Sequence, residues 1–555
     1  MRRADRWVRG VLGAVGGLLA AAASLGVAES VSAAARPEAS PVTAVGGAVI
    51  DRTPASLKDY AVRHFGTNDK LVLQLGIVAI LALFALALGV LSLWLRRTGC
   101  AGVLVFGAIG AVAAWSRPDN HRWDALPSIV GALAGAAVLW VLTGRLLVRR
   151  PAGPAEGPQS VAGESDAGDT ATDTAEEPAG EPTGPESGAR PPGFDRRGFL
   201  AAAAATAAAS AGAGVLGRAL NNRSTAAARA SRAAVALPAP ASRAAAVPVG
   251  ADLRLPGLSA FTTPNERFYR VDTALVVPKI DATAWRLRIH GLGVGKDVDL
   301  SYDDLLAREL IERDITLTCV SNQVGGPYVG NARWIGVRLA DLLREAGVRP
   351  PSKGGRADQL VARSVDGMTI GSPVETVLDG RDAMLALGMN GEPLPFAHGF
   401  PVRMLVPGLY GYVSACKWLH ELELTTFDSY DAYWVKRSWS QQAPIKTESR
   451  IDTPKPFAGP KAGRVPVAGV AWAQHRGIDQ VQVRVDGGRW QTARLAAEDS
   501  VDTWRQWMWE WDATPGSHTL EVRATDRDGY TQTDHRVGTV PNGATGWHSV
   551  VVTVD

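Results

Sequence analysis

Asp314-Ile315-Thr316-Leu317-Thr318-Cys319-Val320-Ser321-Asn322 alternates apolar and polar side chains as a β-strand does, then turns polar and meets Gly325-Gly326. The alternation puts Ile315, Leu317 and Cys319 on one face of the strand. A lone Cys on such a face is either a small apolar packing residue or a reactive ligand, and the strand by itself leaves both open. Around it, Asp252 to Phe427 mixes short strands with helices. Trp285 to Ile289 alternates as a half-buried strand. Ser301-Tyr302-Asp303-Asp304 before Leu305-Leu306 has the form of a capping box. Val337 to Glu345 repeats apolar residues at helical spacing and stops at Gly347. This is an α+β pattern.

Further along the chain the texture changes to strands alone. Val465 to Trp472, Val481 to Val485 with the Asp486-Gly487-Gly488 turn, Trp504 to Trp511, and His518 to Ala524 with the Asp528-Gly529 turn follow one another at the spacing of an immunoglobulin-like sandwich. The dense group Trp504, Trp507, Trp509 and Trp511 is read as core packing and a partner interface.

The N-terminal part has a different character. Gly10–Ala28, Leu71–Leu95, Gly99–Trp115 and Ala125–Gly144 are apolar runs near the roughly 20 residues that cross a bilayer as a helix. Arg2, Arg3, Arg6 and Arg9, then Arg96 and Arg97, then Arg149 and Arg150 flank these runs so that all three clusters fall on the cytoplasmic side. The first run is either a span or a cleaved signal, given the small residues around Val31-Ser32-Ala33. Pro151 to Asp195 is rich in Pro, Gly and acid and poor in large apolar side chains, which predicts a disordered cytoplasmic linker. It ends in Asp195-Arg196-Arg197-Gly198-Phe199-Leu200 and an Ala-rich run to Gly217. That is either an internal twin-arginine export pattern or a stop-transfer arginine pair before a fifth helix.

The expected organisation is therefore a membrane module (1–150), the linker (151–195), a fifth membrane helix (196–217), an Ala-rich spacer (218–250), a catalytic domain (251–434) and the sandwich (435–555). The catalytic part is expected outside a cell membrane crossed several times. With 555 residues and a net charge of +3 from dispersed Lys and Arg, nucleic-acid binding has no support. Cys100, Cys319 and Cys416 are the only cysteines, so no disulfide framework is expected. None of the nine His lies inside an apolar run and there is no Cys-x-x-Cys-His, so no haem is expected in this chain.

Thr316 to Asn322 resembles the cysteine segment of the sulfite oxidase family of molybdopterin enzymes. Thr263-Pro264-Asn265-Glu266-Arg267-Phe268-Tyr269-Arg270, Met389 to Pro395 followed by His398-Gly399-Phe400-Pro401-Val402-Arg403, and Tyr410-Gly411-Tyr412 to Lys417-Trp418 are similar to further motifs of that family. Gly469 to Trp472 with Asp486-Gly487-Gly488 looks like its dimerisation domain, implying a homodimer through the sandwich. The resemblance implies a molybdenum–molybdopterin cofactor, with Cys319 as metal ligand and Cys319 and Arg270 at the reacting centre. It implies cofactor contacts from Asn265, Phe268, Tyr269, Arg270, His398, Arg403, Ala415, Cys416 and Lys417, the Cys416 side chain itself packing. It also implies a separate redox partner, a cytochrome or quinone-linked membrane protein.

Departures from the family bear on substrate. Where the family has two Arg shortly after the metal Cys, this chain has Gln323 and Val324. Met368 stands for a Tyr, Ser414 for an Arg, and Val271-Asp272 for Asn-His. A pocket with fewer cations suits a small S- or N-oxide or an oxidised protein side chain better than the sulfite dianion. Sulfite oxidation and a non-catalytic tethered binding protein are the alternatives.

The export pattern is testable. On the twin-arginine reading, Arg196→Lys combined with Arg197→Lys keeps the charge, loses the receptor-read address and strands the outer domain on the cytoplasmic side. Protease protection in spheroplasts reads the outcome, and normal exposure in the double mutant selects the stop-transfer reading.

Overall fold

The computed structural model describes residues 3–53, 69–117, 120–147 and 195–555. Apart from Asp195, the linker expected at 151–195 lies outside the described residues, as do Arg2, His64, Arg149 and Arg150.

Helices α1 (Arg3–Ala35), α2 (Pro41–Arg52), α3 (Asp69–Leu91), α4 (Arg96–Trp115), α5 (Leu126–Leu147) and α6 (Arg196–Ala234) form the N-terminal region. Among the described residues, all but α2 are long and apolar enough to cross a membrane. Small residues let them approach closely: a Cβ at Gly17 would lie 2.0 Å from the Ala85 carbonyl oxygen, and one at Gly89 would lie 2.2 Å from that of Gly13. Leu75, Ile80 and Leu83 point outward and exposed, as on a lipid-facing surface.

Two findings differ from the sequence expectation. Residues 41–52 form α2, where no helix was expected. The fifth apolar helix does not end at 217 but continues to Ala234, because Ala dominates 225–234 and needs no apolar stripe to stay helical. Its N-cap Asp195 accepts from the Gly198 amide at 3.0 Å and lies 3.6 Å from Arg145 at the end of α5. At its other end Arg232 donates to the carbonyls of Leu394 (2.8 Å) and Pro393 (2.6 Å), and Ser231 Oγ accepts from the Ala282 amide. One helix thus connects the arginine-rich end of the bundle to the β-rich part of the chain.

The β-rich part starts with two five-stranded sheets. Strands β1 (Arg286–Gly291), β2 (Val298–Ser301), β5 (Gln359–Ser364), β6 (Thr369–Pro373) and β10 (Leu419–Thr425) run in the order β2-β1-β10-β5-β6, with only β1 and β10 parallel. Strands β3 (Leu310–Thr318), β4 (Val329–Arg338), β7 (Met384–Met389) and β8 (Glu392–Pro393) run in that order, and β9 (Arg403–Leu405) pairs β7. Ser301 forms the expected capping box with Asp304. Val337 and Arg338 belong to β4, so the following helix begins only at Leu339: pairing with β7 overrides the helical spacing. One hydrophobic core joins both sheets, with Trp334, Leu385, Leu387 and Phe400 fully buried.

Two four-stranded antiparallel sheets follow, face to face over a second core. One is β11 (Glu448–Thr453), β12 (Gly463–Trp472), β16 (Arg505–Ala513) and β15 (Arg494–Leu495); the other is β14 (Gln491–Thr492), β13 (Ile478–Val485), β17 (Gly516–Asp526) and β18 (His548–Val554). Val467, Trp507 and Trp511 from the first meet Val481, Leu520 and Val552 from the second. Trp504 leaves this core for the other one and donates its Nε1–H to the Phe261 carbonyl.

Trp334 is fully buried, donates to the Ile315 carbonyl at 3.1 Å and meets Phe268 edge to face. Trp334→Ala is expected to cost about 3 to 5 kcal/mol of stability, read as a lowered midpoint of thermal or denaturant unfolding.

Candidate active site

Strand β3 delivers Cys319 immediately past its last residue, where the Cys319 amide donates to the Tyr328 carbonyl at 2.9 Å. Pairing with β4 holds one edge of β3. Loops of the C-terminal sheets hold the other: Gln474 Nε2 donates to the Thr316 carbonyl (3.0 Å) and to Thr318 Oγ1 (3.1 Å), and the Thr316 amide donates to the Asp502 carbonyl (2.9 Å). Cys319 is buried. Burial raises its thiol pKa, against hydrogen bonding to Ser321 and the charge of Lys417. Among the described residues no three His, Cys, Asp or Glu side chains converge.

Of the cations expected near the cofactor, Arg403 is buried, Lys417 is half-buried and Arg270 is exposed. Arg403 is 6% exposed, donates to the His398 carbonyl at 3.2 Å and lies over the Trp334 ring, yet its Nε has no hydrogen-bond partner. Burial lowers its pKa to about 10. A buried guanidinium with an unpartnered N–H and no carboxylate is the signature of a site shaped for a bound acceptor. Gly399 (φ +112°) brings the His398 loop against Arg403 and Lys417; a Cβ there would sit 3.1 Å from Arg403 Cβ and Lys417 Cα. His398 Nε2–H donates to the Asn265 carbonyl (2.9 Å), and burial lowers its pKa to about 4, so the ring is neutral at neutral pH. The Tyr269 hydroxyl lies 3.9 Å from where a Gly411 Cβ would be, and the Thr318 carbonyl oxygen 3.8 Å from the same point. Burial first, then Cys319, raises the Tyr269 pKa, so the phenol keeps its proton.

Lys417 and Arg270 meet at one carboxylate. Lys417 Nζ donates to Asp272 Oδ2 at 2.7 Å and Arg270 Nε to the same oxygen at 2.8 Å. Lys70, at the start of α3, donates to Oδ1 at 2.5 Å. The Asp272 side chain is 3% exposed. Burial pushes its pKa up, but Lys417, Lys70 and Arg270 outweigh that and hold the group well below the usual carboxylate range. Burial lowers Lys417 to about 8 against the pull of Asp272.

Other expected cofactor residues are engaged differently. Asn265 Nδ2 donates to Glu392 Oε1 (2.7 Å), and its Oδ1 accepts from Asn390 (2.8 Å). The Phe268 ring is buried in the core against Trp334 and His398. Cys416 is buried, its amide carbonyl accepting from Met404, and Ala415 donates to the Gly411 carbonyl. The Ser414 hydroxyl donates to the Leu409 and Tyr410 carbonyls. Gln323 is exposed and Met368 half-buried. The sequence reading missed the roles of Asp272 and Lys70 in this cluster. Only the departure at Val271-Asp272 signalled the first, and nothing local signalled the second.

Residues 274–434 match the oxidoreductase molybdopterin-binding domain. Human mitochondrial sulfite oxidase is 29% identical over 343 residues, covering 53% of this chain and 62% of that protein. The YuiH oxidoreductase of Bacillus subtilis is 32% identical over 159 residues, covering 29% of this chain and 74% of that protein. The sulfane dehydrogenase SoxCD of Paracoccus pantotrophus superposes with a TM-score of 0.46 at 24% identity, over 53% of this chain and 84% of that one. The chain thus spans about three fifths of the length of the mammalian sulfite oxidases it matches. The buried, half-satisfied Arg403 guanidinium fits an acceptor such as the phosphate or polar heterocycle of molybdopterin, and with its molybdenum–molybdopterin cofactor this chain belongs to the sulfite oxidase family of molybdopterin-dependent oxidoreductases.

Proposed function

We propose that this chain is a multi-pass membrane protein whose outward-facing catalytic domain transfers an oxygen atom from a small S- or N-oxide or an oxidised protein side chain. In sum, oxide, two electrons and two protons give the reduced product and water. A separate redox partner, a cytochrome or quinone-linked membrane protein, supplies the electrons. The catalytic domain is taken as 251–434, and 435–555 as an immunoglobulin-like domain suited to dimerisation.

The observation that carries the substrate reading is Asp272. Its carboxylate occupies Arg270 and Lys417, while Gln323, Val324, Met368 and Ser414 add no cation. A desolvated dianion needs unpaired cations; a neutral oxide needs one directed donor. Support for sidedness comes from the ends of the helices. The β-rich part contacts the bundle near Lys70 and Asp51, away from the end bearing Arg96, Arg97 and Arg145.

The cofactor, when bound, supplies a metal centre that exchanges an oxygen atom and two electrons. Cys319 supplies the protein thiolate, a soft ligand for a sulfur-bound metal whose charge lowers the thiol pKa. Arg403 and Lys417 hold the phosphate and heterocycle with N–H donors, and His398, its one N–H spent on the Asn265 carbonyl, offers Nδ1 as an acceptor. Arg270, at the mouth, orients the oxide oxygen, and the Phe268–Trp334 pair keeps water from the cofactor side. Sulfite oxidation is the second reading, favoured by the similarity to sulfite oxidases.

Cys319→Ser is expected to leave the unfolding midpoint near wild type and to reduce turnover on the order of a hundredfold or more; near-normal activity with molybdenum bound would remove Cys319 from the ligand role. For substrate, kcat/KM is compared on one full-length preparation of measured molybdenum content. An S- or N-oxide with a viologen donor is set against sulfite with a dye acceptor. The oxide is expected to win by at least about tenfold, since each missing Arg contact to a buried dianion costs about 2 to 5 kcal/mol. Efficient sulfite oxidation with weak oxide reduction selects the second reading.

A further inference from the structure

The extramembrane ends of α2 and α3 reach the catalytic region beside its cation cluster, through residues far apart in sequence. Lys70 Nζ donates to Asp272 Oδ1 and to the Ala274 carbonyl, each at 2.5 Å. Asp51, in the last turn of α2, accepts from the Tyr433 hydroxyl and lies 3.8 Å from Arg437. A Cβ at Gly46 would lie 2.7 Å from Leu275 Cδ2, so α2 presses on the same segment that Lys70 grips. That segment directly follows Arg270.

Three cations share the Asp272 carboxylate, and one of them comes from the membrane region. Counted over these four side chains alone, two positive charges are in excess; the nearby Asp366, its pKa raised by burial, also feels Lys417 and Asp272. Without Lys70 the excess falls to one, and the buried carboxylate must be satisfied by Arg270 and Lys417 alone. Both are then drawn further from substrate and cofactor. Lys70 reaches the site through its hydrogen bond to Asp272.

We propose that Lys70 is a positioning residue of the active site, supplied by the membrane module, which shares Asp272 with Arg270 and Lys417 and so links the seating of the module to the charge of the pocket. This rests on the placement of the molybdenum site at Cys319 and is independent of which substrate is turned over.

The test uses the full-length, cofactor-loaded protein in detergent or nanodiscs, with molybdenum and pterin measured for each variant. Lys70→Met is expected to raise KM about tenfold while kcat stays within about twofold, because binding is weakened and no group at the reacting atoms is lost. Lys70→Arg is expected to restore KM to within about threefold. Hydrogen–deuterium exchange of peptides spanning 270–275 is expected to rise in Lys70→Met and not in Lys70→Arg. Exchange reads the linkage even if neither an oxide nor sulfite is turned over, which separates failure of this proposal from failure of the substrate reading. Unchanged KM and exchange in Lys70→Met, or a Lys70→Arg variant as impaired as Lys70→Met, overturns the proposal. If Lys70→Met does not accumulate, a photo-reactive benzoylphenylalanine at Leu275 in the otherwise intact chain decides. Crosslinking to residues 41–52 is expected, and its absence overturns the docking on which the proposal depends.

Discussion

Burying a cation without a full set of acceptors costs several kcal/mol, and this fold does so at Arg403, whose Nε has no partner among the described residues. The surroundings are arranged to hold that cation still: Trp334 lies beneath it, the His398 carbonyl takes one N–H, and Gly399 lets the loop close over it. Such a guanidinium is stable only if something else completes its hydrogen bonding. On the proposed placement of the cofactor, its binding would satisfy a group the polypeptide leaves open and so would stabilise the domain.

The neighbouring cations are handled in the opposite way. Lys417 and Arg270 have an internal carboxylate, Asp272, and their charge is largely spent on it. Two cation environments thus lie side by side, one open to an acceptor and one closed by a carboxylate. The C-terminal sheets contribute to the site from a distance. Gln474 and Asp502 fasten the free edge of β3, so the position of Cys319 depends on a second folding unit.

Much of this was legible in the sequence, and where it was not the reason is physical. The strand ending at Cys319, the capping box at Ser301 and the strands from 463 to 526 follow from local periodicity and capping chemistry, which a short window contains. Helix α2 was missed because Val and paired Gly residues give 41–52 little helix propensity of its own; it is held by packing against α4. The continuation of α6 was read as spacer because a helix built on alanine shows no amphipathic stripe. Arg403, His398 and Lys417 were named from motif similarity, and the structure sets them around one loop. Asp272 and Lys70 are 202 positions apart, and no local pattern connects an acid to a base at that separation. Phe268 and Asn265 belong to a recognisable motif, but a motif does not say which of its side chains face inward.

Helix α6 carries a constraint on length. It runs unbroken from its Asp195 cap to the grip that Ser231 and Arg232 take on 282 and 392–394. Each residue of an α-helix advances the chain by about 1.5 Å and turns it by about 100°. Inserting or deleting one residue between these anchors would swing Arg232 away from the Pro393 and Leu394 carbonyls, whereas a change of about one full turn would restore the azimuth and shift the grip along the axis by about 5 Å. The phase of this helix, more than its composition, thus sets which face of the catalytic domain is presented to the bundle, and lengths that differ by fractions of a turn are incompatible with the contacts at both ends.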